Sequence, residues 1–595
     1  MKRLLHLLVM LTIPLLCQSQ DCGTPLKPAD KRVYDEALEL YNRHDYKESA
    51  IRMRKVAGKN PRATDPQFWL GMTAVKDGFN ATAIRRYFGR CVELCPDYPH
   101  PLAHYYMGVV HYTDDRYDEA VAELERYFNL ASGSTDRAVT AVYEEASNYL
   151  HWSRFLAEAT LNAAPFDPQR VAGISSKHDE MLPYLTLDGK EMYYLRLLPE
   201  PKAPTVYHSE MERKHWRLCS SRRQDTAFSK GAELPPPFNS GDPEGGVSIT
   251  ADGNELYYSV IRTVNGYANS DIYCVRRVDG RWQQPEVLGS QVNTPRSWES
   301  QPTVSADGQT LLFASNRQGG QGGIDLWRCH RLKNGDWSRA ENLGTNINTG
   351  GNEKFPFLAA DGRTLYFLSD GWQGFGGYDA YFADLADQYG NRPTNLGLPI
   401  NSEGDELSFG VTADGRQAYF CGRGEGSRSL DIMMFDLYPA ARPEPMMWCR
   451  MQVTDTNGRA LAATVKTNNG LWSATDGSVV MMLSGKYDEV LTFSADGMLP
   501  ALLAITPAQV KGGKVGDGVS LLPLTAGTVM PLDARCTEAL ADWMLEHPRV
   551  RIAVECPKTA DAQAIYERLR LRGLRPDRLT HRGGTDVKQT QIRVL

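Results

Sequence analysis

The chain has 595 residues, room for three to five domains, with 42% hydrophobic residues and a formal net charge of −6. The acidic balance and the absence of a basic cluster argue against nucleic acid as a partner. Beyond the N-terminus no run of eighteen apolar residues occurs, so no transmembrane helix is expected.

Residues 1–19 read as an export signal. Lys2 and Arg3 precede a mostly apolar run from Leu4 to Leu16, too short to anchor in a bilayer. Cys17 and Ser19 supply small residues at −3 and −1 before Gln20, which suits ordinary cleavage. The rival reading lipidates Cys17, although Leu16 is not the small residue that a lipobox places before its cysteine. Either way the mature protein is exported. The 11 cysteines form no CxxC and no Cys/His pair has zinc spacing, so neither a metal nor a cofactor is expected.

From about 30 to 165 the pattern is helical. Small residues at Ala37, Gly71 and Gly108 are each followed twelve positions later by another, at Ser49, Ala83 and Ala120. Paired helices approach closely where both sides are small. With Pro61 and Pro96 near the ends of the copies, this pattern resembles the tetratricopeptide repeat. The resemblance implies a concave groove lined by first helices. It places Tyr34, Tyr41, Phe68, Tyr105 and Tyr112 there as partner-binding residues; the plain alternative is ordinary repeat packing. His100, His104 and His111 lie near one helical face without acidic or cysteine partners nearby in the pattern, so a metal is not expected.

The middle of the chain repeats one phrase: PEGGVSITADGNELYYSVI from Pro243, SQPTVSADGQTLLFASNR from Ser300, KFPFLAADGRTLYFLSDG from Lys354 and ELSFGVTADGRQAYFCGR from Glu406, after a divergent copy at Glu180. Each copy predicts a strand, an Asp-Gly hairpin turn with both central residues at positive φ, and a second strand. Third strands start near Ser270, Ile324, Tyr378 and Leu430, and fourth segments near Trp282, Trp337 and Thr394. The glycine runs at Gly319 and Gly374 read as wide turns, because a phosphate-cradling loop would lead from a strand into a helix. The phrase resembles the PD40 repeat, a WD40-like motif of the TolB type, and implies a propeller of five blades, or six if the longer first interval hides a degenerate one. VAGISS at Val171 reads as the fourth segment that closes the last blade.

Past an expected linker, ARPEP at Ala441, the V-x-D-x-x-G pattern at Val453 and the later Asp-Gly strands resemble the carboxypeptidase regulatory-like domain, a small β-sandwich. The last seventy residues alternate helix and strand and resemble the OmpA C-terminal domain. That family binds peptidoglycan through an Asp and an Arg flanking the first strand–helix turn. Here only PKTA separates Cys556 from Asp561, both residues are missing, and peptidoglycan binding is doubtful.

The whole order resembles the PorE-type, outer-membrane-associated periplasmic components of the type IX secretion system of Bacteroidetes. The expected fold is therefore multi-domain α and β. It comprises a tetratricopeptide α-solenoid (27–165), a β-propeller (166–440), a β-sandwich (446–524) and a degenerate α/β OmpA-like domain (525–595). The resemblance implies a non-catalytic scaffold whose partners are other secretion-system or outer-membrane proteins. Two further classes remain. A propeller-bearing hydrolase lacks its G-x-S-x-G elbow here. A periplasmic sensor or glycan-binding platform would use the propeller mouth.

Overall fold

The computed structural model describes residues 24–595 except 79, 200–213, 241–243, 265–266, 388–391 and 425; the export segment with Cys17 lies outside the described residues. The chain forms two compact units, Met1–Ala163 and Ala164–Leu595.

The first unit is helical: Pro28–Asn42, Tyr46–Lys59, Asp65–Lys76, Ala81–Leu94, Pro101–Thr113, Tyr117–Ala131, the single turn Arg137–Thr140 and Tyr143–Leu161. Pro28, Pro66 and Pro101 stand in first turns, where their missing N–H costs nothing. Asp45 and Asn80 cap the following helices through Glu48 N and Ala83 N. The small residues do what their spacing implies. Ser49 Oγ donates to Ala37 O at 2.8 Å. A Cβ on Gly71 would stand 2.7 Å from the Phe88 ring, and one on Gly108 2.5 Å from Leu124 Cγ. Cys91 is a free thiol and Cys95 is disulfide-bonded.

The second unit begins with a propeller-like ring of antiparallel sheets. Their first strands are Glu180–Leu185, Glu244–Ile249, Glu299–Val304, Glu353–Leu358 and Phe409–Val411. Each touches the next in that order, and the first also touches the second and third strands of the last sheet, Gln417–Gly422 and Asp431–Asp436. The longer first interval falls inside sheet one, between strands Glu191–Pro199 and Lys214–Gln224. Sheet five takes its outer strand, Gln169–Arg170, from ahead of sheet one: these residues pair with Met434 and Met433. The ring is thus closed by its two chain ends, which removes an exposed edge.

The Asp-Gly turns differ from the expectation. Only the glycines are left-handed, with φ of 69–72° at Gly189, Gly253, Gly308, Gly362 and Gly415. The aspartates keep negative φ and act through their side chains. Asp188 Oδ1 accepts from Lys190 N at 3.0 Å, and Asp252, Asp307, Asp361 and Asp414 repeat the contact. The loop is two residues longer than a two-residue hairpin, so a tight turn ending in a left-handed glycine replaces the mirror-image turn.

A two-sheet sandwich follows. One sheet pairs Met446–Asp455 with Ser478–Ser484 and, in parallel, Gly518–Leu521; the other has the order Leu471–Ala474, Ala463–Lys466, Glu489–Ser494, Ala501–Ile505. The expected linker is packed rather than free. Ala441 is buried, and Glu444 N–H donates to Asp361 Oδ2 at 3.1 Å. The final segment forms a mixed sheet, Val529–Pro531, Gln591–Val594, Ile552–Cys556, Leu579–Gly583, beneath helices Thr537–Glu546 and Thr559–Leu571. Its core contains Leu540, Trp543, Ile552, Val554, Ile565 and Leu569 and continues into Leu499, Val490 and Leu502 of the sandwich. Buried Arg578 closes the first helix by donating to Met544 O and His547 O.

Candidate binding surfaces

The helical unit separates the five aromatics into two sets. Phe68 and Tyr105 are core residues: Phe68 packs on Phe88, Tyr98 and His100, and Tyr105 on Tyr127. They cannot line a groove, and repeat packing is their role. Tyr34, Tyr41 and Tyr112 are half-buried. Tyr41 meets Trp69 edge-on at 5.0 Å, and Tyr112 meets Tyr149 at 5.1 Å. Trp69, Tyr106 and Tyr149 are half-buried too and went unread in the sequence. The signal was the doublets Phe68-Trp69 and Tyr105-Tyr106: neighbouring helical residues point about 100° apart, so one member enters the core and the other skirts it. The histidine reading also changes. His104 is fully buried, its Nδ1 2.7 Å from Glu123 Oε2 and its Nε2 2.9 Å from Tyr98 O. Its acidic partner comes from the next helix, invisible to local spacing. Among the described residues no group of three or more His, Cys, Asp and Glu is placed to hold a metal.

In the ring, the inner strands bulge two residues in. Register shifts lie between Met181 and Tyr184, Glu244 and Val247, Ser300 and Thr303, and Lys354 and Phe357. Leu182, Gln301 and Phe355 occupy bulges at φ of 52°, 55° and 49°. Large side chains rarely adopt this conformation, and it persists here because neighbouring sheets tether the freed backbone. Phe355 N–H donates to Gln301 Oε1 at 2.9 Å and Leu358 N–H to Thr303 Oγ1 at 3.1 Å. Between the bulges lies a cavity of about 60 Å³ whose walls include Leu182, Tyr184, Phe355, Phe357 and Phe409; its polar groups come from Ser248, Gln301, Thr303 and Ser408. Hydroxyls and an amide can recognise by hydrogen bonds, but none is an acid–base pair.

The turn end of the ring is covered. The residue before each Asp-Gly pair, Leu187, Ala251, Ala306, Ala360 and Ala413, packs into the sandwich core. Trp448 Nε1 donates to Ala251 O at 3.1 Å, and Leu471 N–H to Asp307 Oδ2 at 3.0 Å.

Buried carboxyls mark the sheet junctions. Burial pushes Glu244 up to about 7 against the pull of the Asn239 N–H and Arg217, and Asp379 and Glu406 up to about 6 and 7. None of the three lines the cavity. A raised acid sheds its proton first in the unfolded chain, so stability is lost between about pH 4.5 and 7. For Glu244 the loss is about 3 kcal/mol. Glu244→Gln should therefore melt higher than wild type at pH 8 and close to it at pH 4.5. Thermal melts of both proteins across that range check this, and parallel profiles would refute it.

At the C-terminal domain the strand Ile552–Cys556 reaches the helix beginning at Thr559 almost directly. A Cβ on Gly583 would overlap Thr559 N, so strand and helix seal the corner where a ligand turn would stand. Glu555 is instead held down to about 2, by Arg593 first, then Gln591 and Arg582.

No protein-family model matches the chain, and no curated protein does. Solved structures overlap about half of it. TolB from Acinetobacter baumannii is 16% identical over 50% of this chain, with a TM-score of 0.26, and the chain spans 64% of TolB. Zg3597, a family 117 glycoside hydrolase of the marine bacterium Zobellia galactanivorans, is 11% identical over 46% of this chain and 90% of its own, with a TM-score of 0.31. A puromycin-hydrolyzing peptidase of Mycobacterium tuberculosis is 14% identical over 49% and 44%, at 0.26. Overlaps at these scores assign no activity, partner or compartment.

Proposed function

We propose that this chain is an exported, non-catalytic scaffold of the bacterial cell envelope, of the kind associated with the type IX secretion system. It combines a tetratricopeptide-type helical array with a five-bladed propeller. The observation that carries the reading is the use of the repeat itself as a mount. The Ala-Asp-Gly turns that recur around the ring are spent on seating the sandwich, and the sandwich shares its core with the terminal domain. Such welding fixes several domains in one geometry, which suits a structural part.

Export is supported by the signal-like residues 1–19 and by the disulfide at Cys95, a bond that persists in oxidising compartments. The sealed corner at Gly583 and Thr559 supports a terminal domain that docks protein rather than peptidoglycan. A sensor or glycan-binding role for the channel is the second reading, favoured by its strained walls. The cavity of about 60 Å³ is small against the roughly 150 Å³ that holds a benzene ring, so a sugar ring would not enter without widening it.

The partner surface is the half-buried aromatic set around Tyr41 and Tyr112. Affinity capture from envelope membranes should recover outer-membrane or secretion proteins. The double variant Tyr41→Ala, Tyr112→Ala should weaken recovery by about 1–3 kcal/mol with its fold intact. Tyr105→Ala should instead lower the melting temperature. Undiminished recovery with the folded double variant would remove the groove from the proposal.

A further inference from the structure

Strands Ile552–Cys556 and Leu579–Gly583 run in parallel, from Arg551 and Arg578 at one end of the terminal domain to the corner of Gly583 and Thr559 at the other. The first of these ends gathers three chain segments. The ion pairs Glu538–Arg568, at 2.6 Å, and Asp542–Arg572 step four residues along both helices. Thr537–Glu546 and Thr559–Leu571 therefore run in the same direction and finish level. The loop between the first helix and its strand joins them there. Buried Arg578 donates to Val550 O at 3.0 Å and to Met544 O and His547 O. Arg551 Nε donates to Asp577 O at 3.2 Å, and Arg570 to Leu574 O at 2.7 Å.

Three properties set this end apart. The first is apolar projection: Leu571 is 86% exposed and Leu545 47%, each in the last turn of its helix. Leu571 is not needed to stop the helix, since Gly573 at φ +94° and buried Leu574 do that. The second is charge. Arg549, Arg551, Arg570, Arg572 and Arg575 share the end with Asp542, Glu546 and Asp577, a positive balance on a chain of net charge −6. Spacing along the sequence hides the cluster, because residues 549–551 and 570–575 meet only in the fold. The third is a satisfied backbone. Helix ends and loops ordinarily leave carbonyls to water. Here those of Met544, His547, Val550, Leu574 and Asp577 are taken by guanidinium groups, and Pro548 and Pro576 have no N–H to satisfy. Such an end sheds water at little cost.

We propose that this end of the terminal domain seats on an anionic lipid surface, with Leu571 and Leu545 entering the headgroup zone and the arginines meeting phosphates. A projecting apolar tip among cations is what a bilayer interface rewards. The arginine stems are themselves apolar and lie along the acyl boundary with their heads in the phosphate layer. A nucleic acid would use the arginines but gain nothing from Leu571. A protein partner would need a pocket shaped around that one projecting side chain, whereas lipid needs no matching shape. A chain without this contact could still be the scaffold proposed above, acting through its helical unit.

The test is sedimentation of the chain from Gln20 onward, which carries no acyl group, with vesicles of phosphatidylcholine alone or with about 30% phosphatidylglycerol. Vesicles with phosphatidylglycerol should take the protein down and phosphatidylcholine alone should not. Raising salt from about 0.1 M to about 0.5 M should release it. Arg549→Gln combined with Arg575→Gln should weaken binding about 25-fold, at about fivefold for each cation, and Leu571→Gln about tenfold. All three positions are exposed, so both variants should melt with wild type. Equal sedimentation with the two lipids, or unchanged binding in either folded variant, overturns the lipid seat. Loss in the arginine variant alone would mark a patch for a soluble polyanion instead.

Discussion

Gly173→Val should unfold the ring. Gly173 lies just past the closing strand at φ +91°, and a Cβ there would overlap the Phe228 carbonyl oxygen. The obstacle is backbone, so no rotamer change relieves it, and a β-branched residue is strained at this φ in any case. Backing off breaks the bonds that define closure: Val171 N–H to Ile432 O at 2.9 Å on one side and Phe228 N–H to Ala172 O at 3.0 Å on the other. Val171, Ile174 and Phe228, all in the main ring core, would be pulled out with it. Left-handed strain, an unrelieved clash and lost burial together cost on the order of 5 kcal/mol. Gly189→Ala is the control: it has the same left-handed geometry, but its Cβ meets nothing within 4 Å, so about 1 kcal/mol is expected. Urea unfolding of the two variants beside wild type measures the contrast. Equal losses would mean that ring closure does not depend on Gly173.

Much of this architecture was legible in the chain because repetition multiplies weak local signals. One Asp-Gly pair between apolar runs is a common hairpin; five at near-constant spacing imply a ring. The helical repeats were legible through Ala37, Gly71 and Gly108, since close helix approach forces small residues at fixed places. The alternation of helix and strand in the terminal segment was legible too, and its apolar residues Leu540, Trp543, Ile552, Val554, Ile565 and Leu569 lie in one cluster. What escaped depends on the third dimension. The repeat resemblance put Phe68 and Tyr105 on one face with Tyr41 but could not say that these two side chains are buried by neighbouring helices. Glu123, the partner of His104, lies on that neighbouring helix. The aspartates of the turns were read through backbone preference, whereas they act by accepting the N–H two residues on. The alanine before Asp-Gly was visible in four copies and left without a role, because the role belongs to a domain that starts after the repeats end.

That role can be tested by substitution. Ala306→Arg combined with Ala360→Arg should free the sandwich from the ring without unfolding either. Both alanines are buried under the sandwich, at the tips of hairpins whose strands are held independently by Leu311, Leu312, Leu365 and Tyr366. Two guanidinium groups cannot be enclosed there, since an unpaired buried charge costs several kcal/mol, while outside they are hydrated. The contacts that depend on the seating then fail together: Leu471 N–H to Asp307, Glu444 N–H to Asp361, Met446 N–H to Ala413 O and the cation–π contact of Lys190 over Trp448. Wild type should melt as one transition across the second unit and resist proteolysis at residues 441–446. The variant should show two transitions and be cut in that segment. A single unchanged transition with no new cleavage would mean that the interface tolerates two charges and is not the weld described. Partner capture by the released variant then separates two kinds of scaffold. If capture persists but the captured assembly no longer forms, the protein works by holding its domains at a fixed distance. If both persist, the seating of the sandwich on the ring is not needed for the assembly.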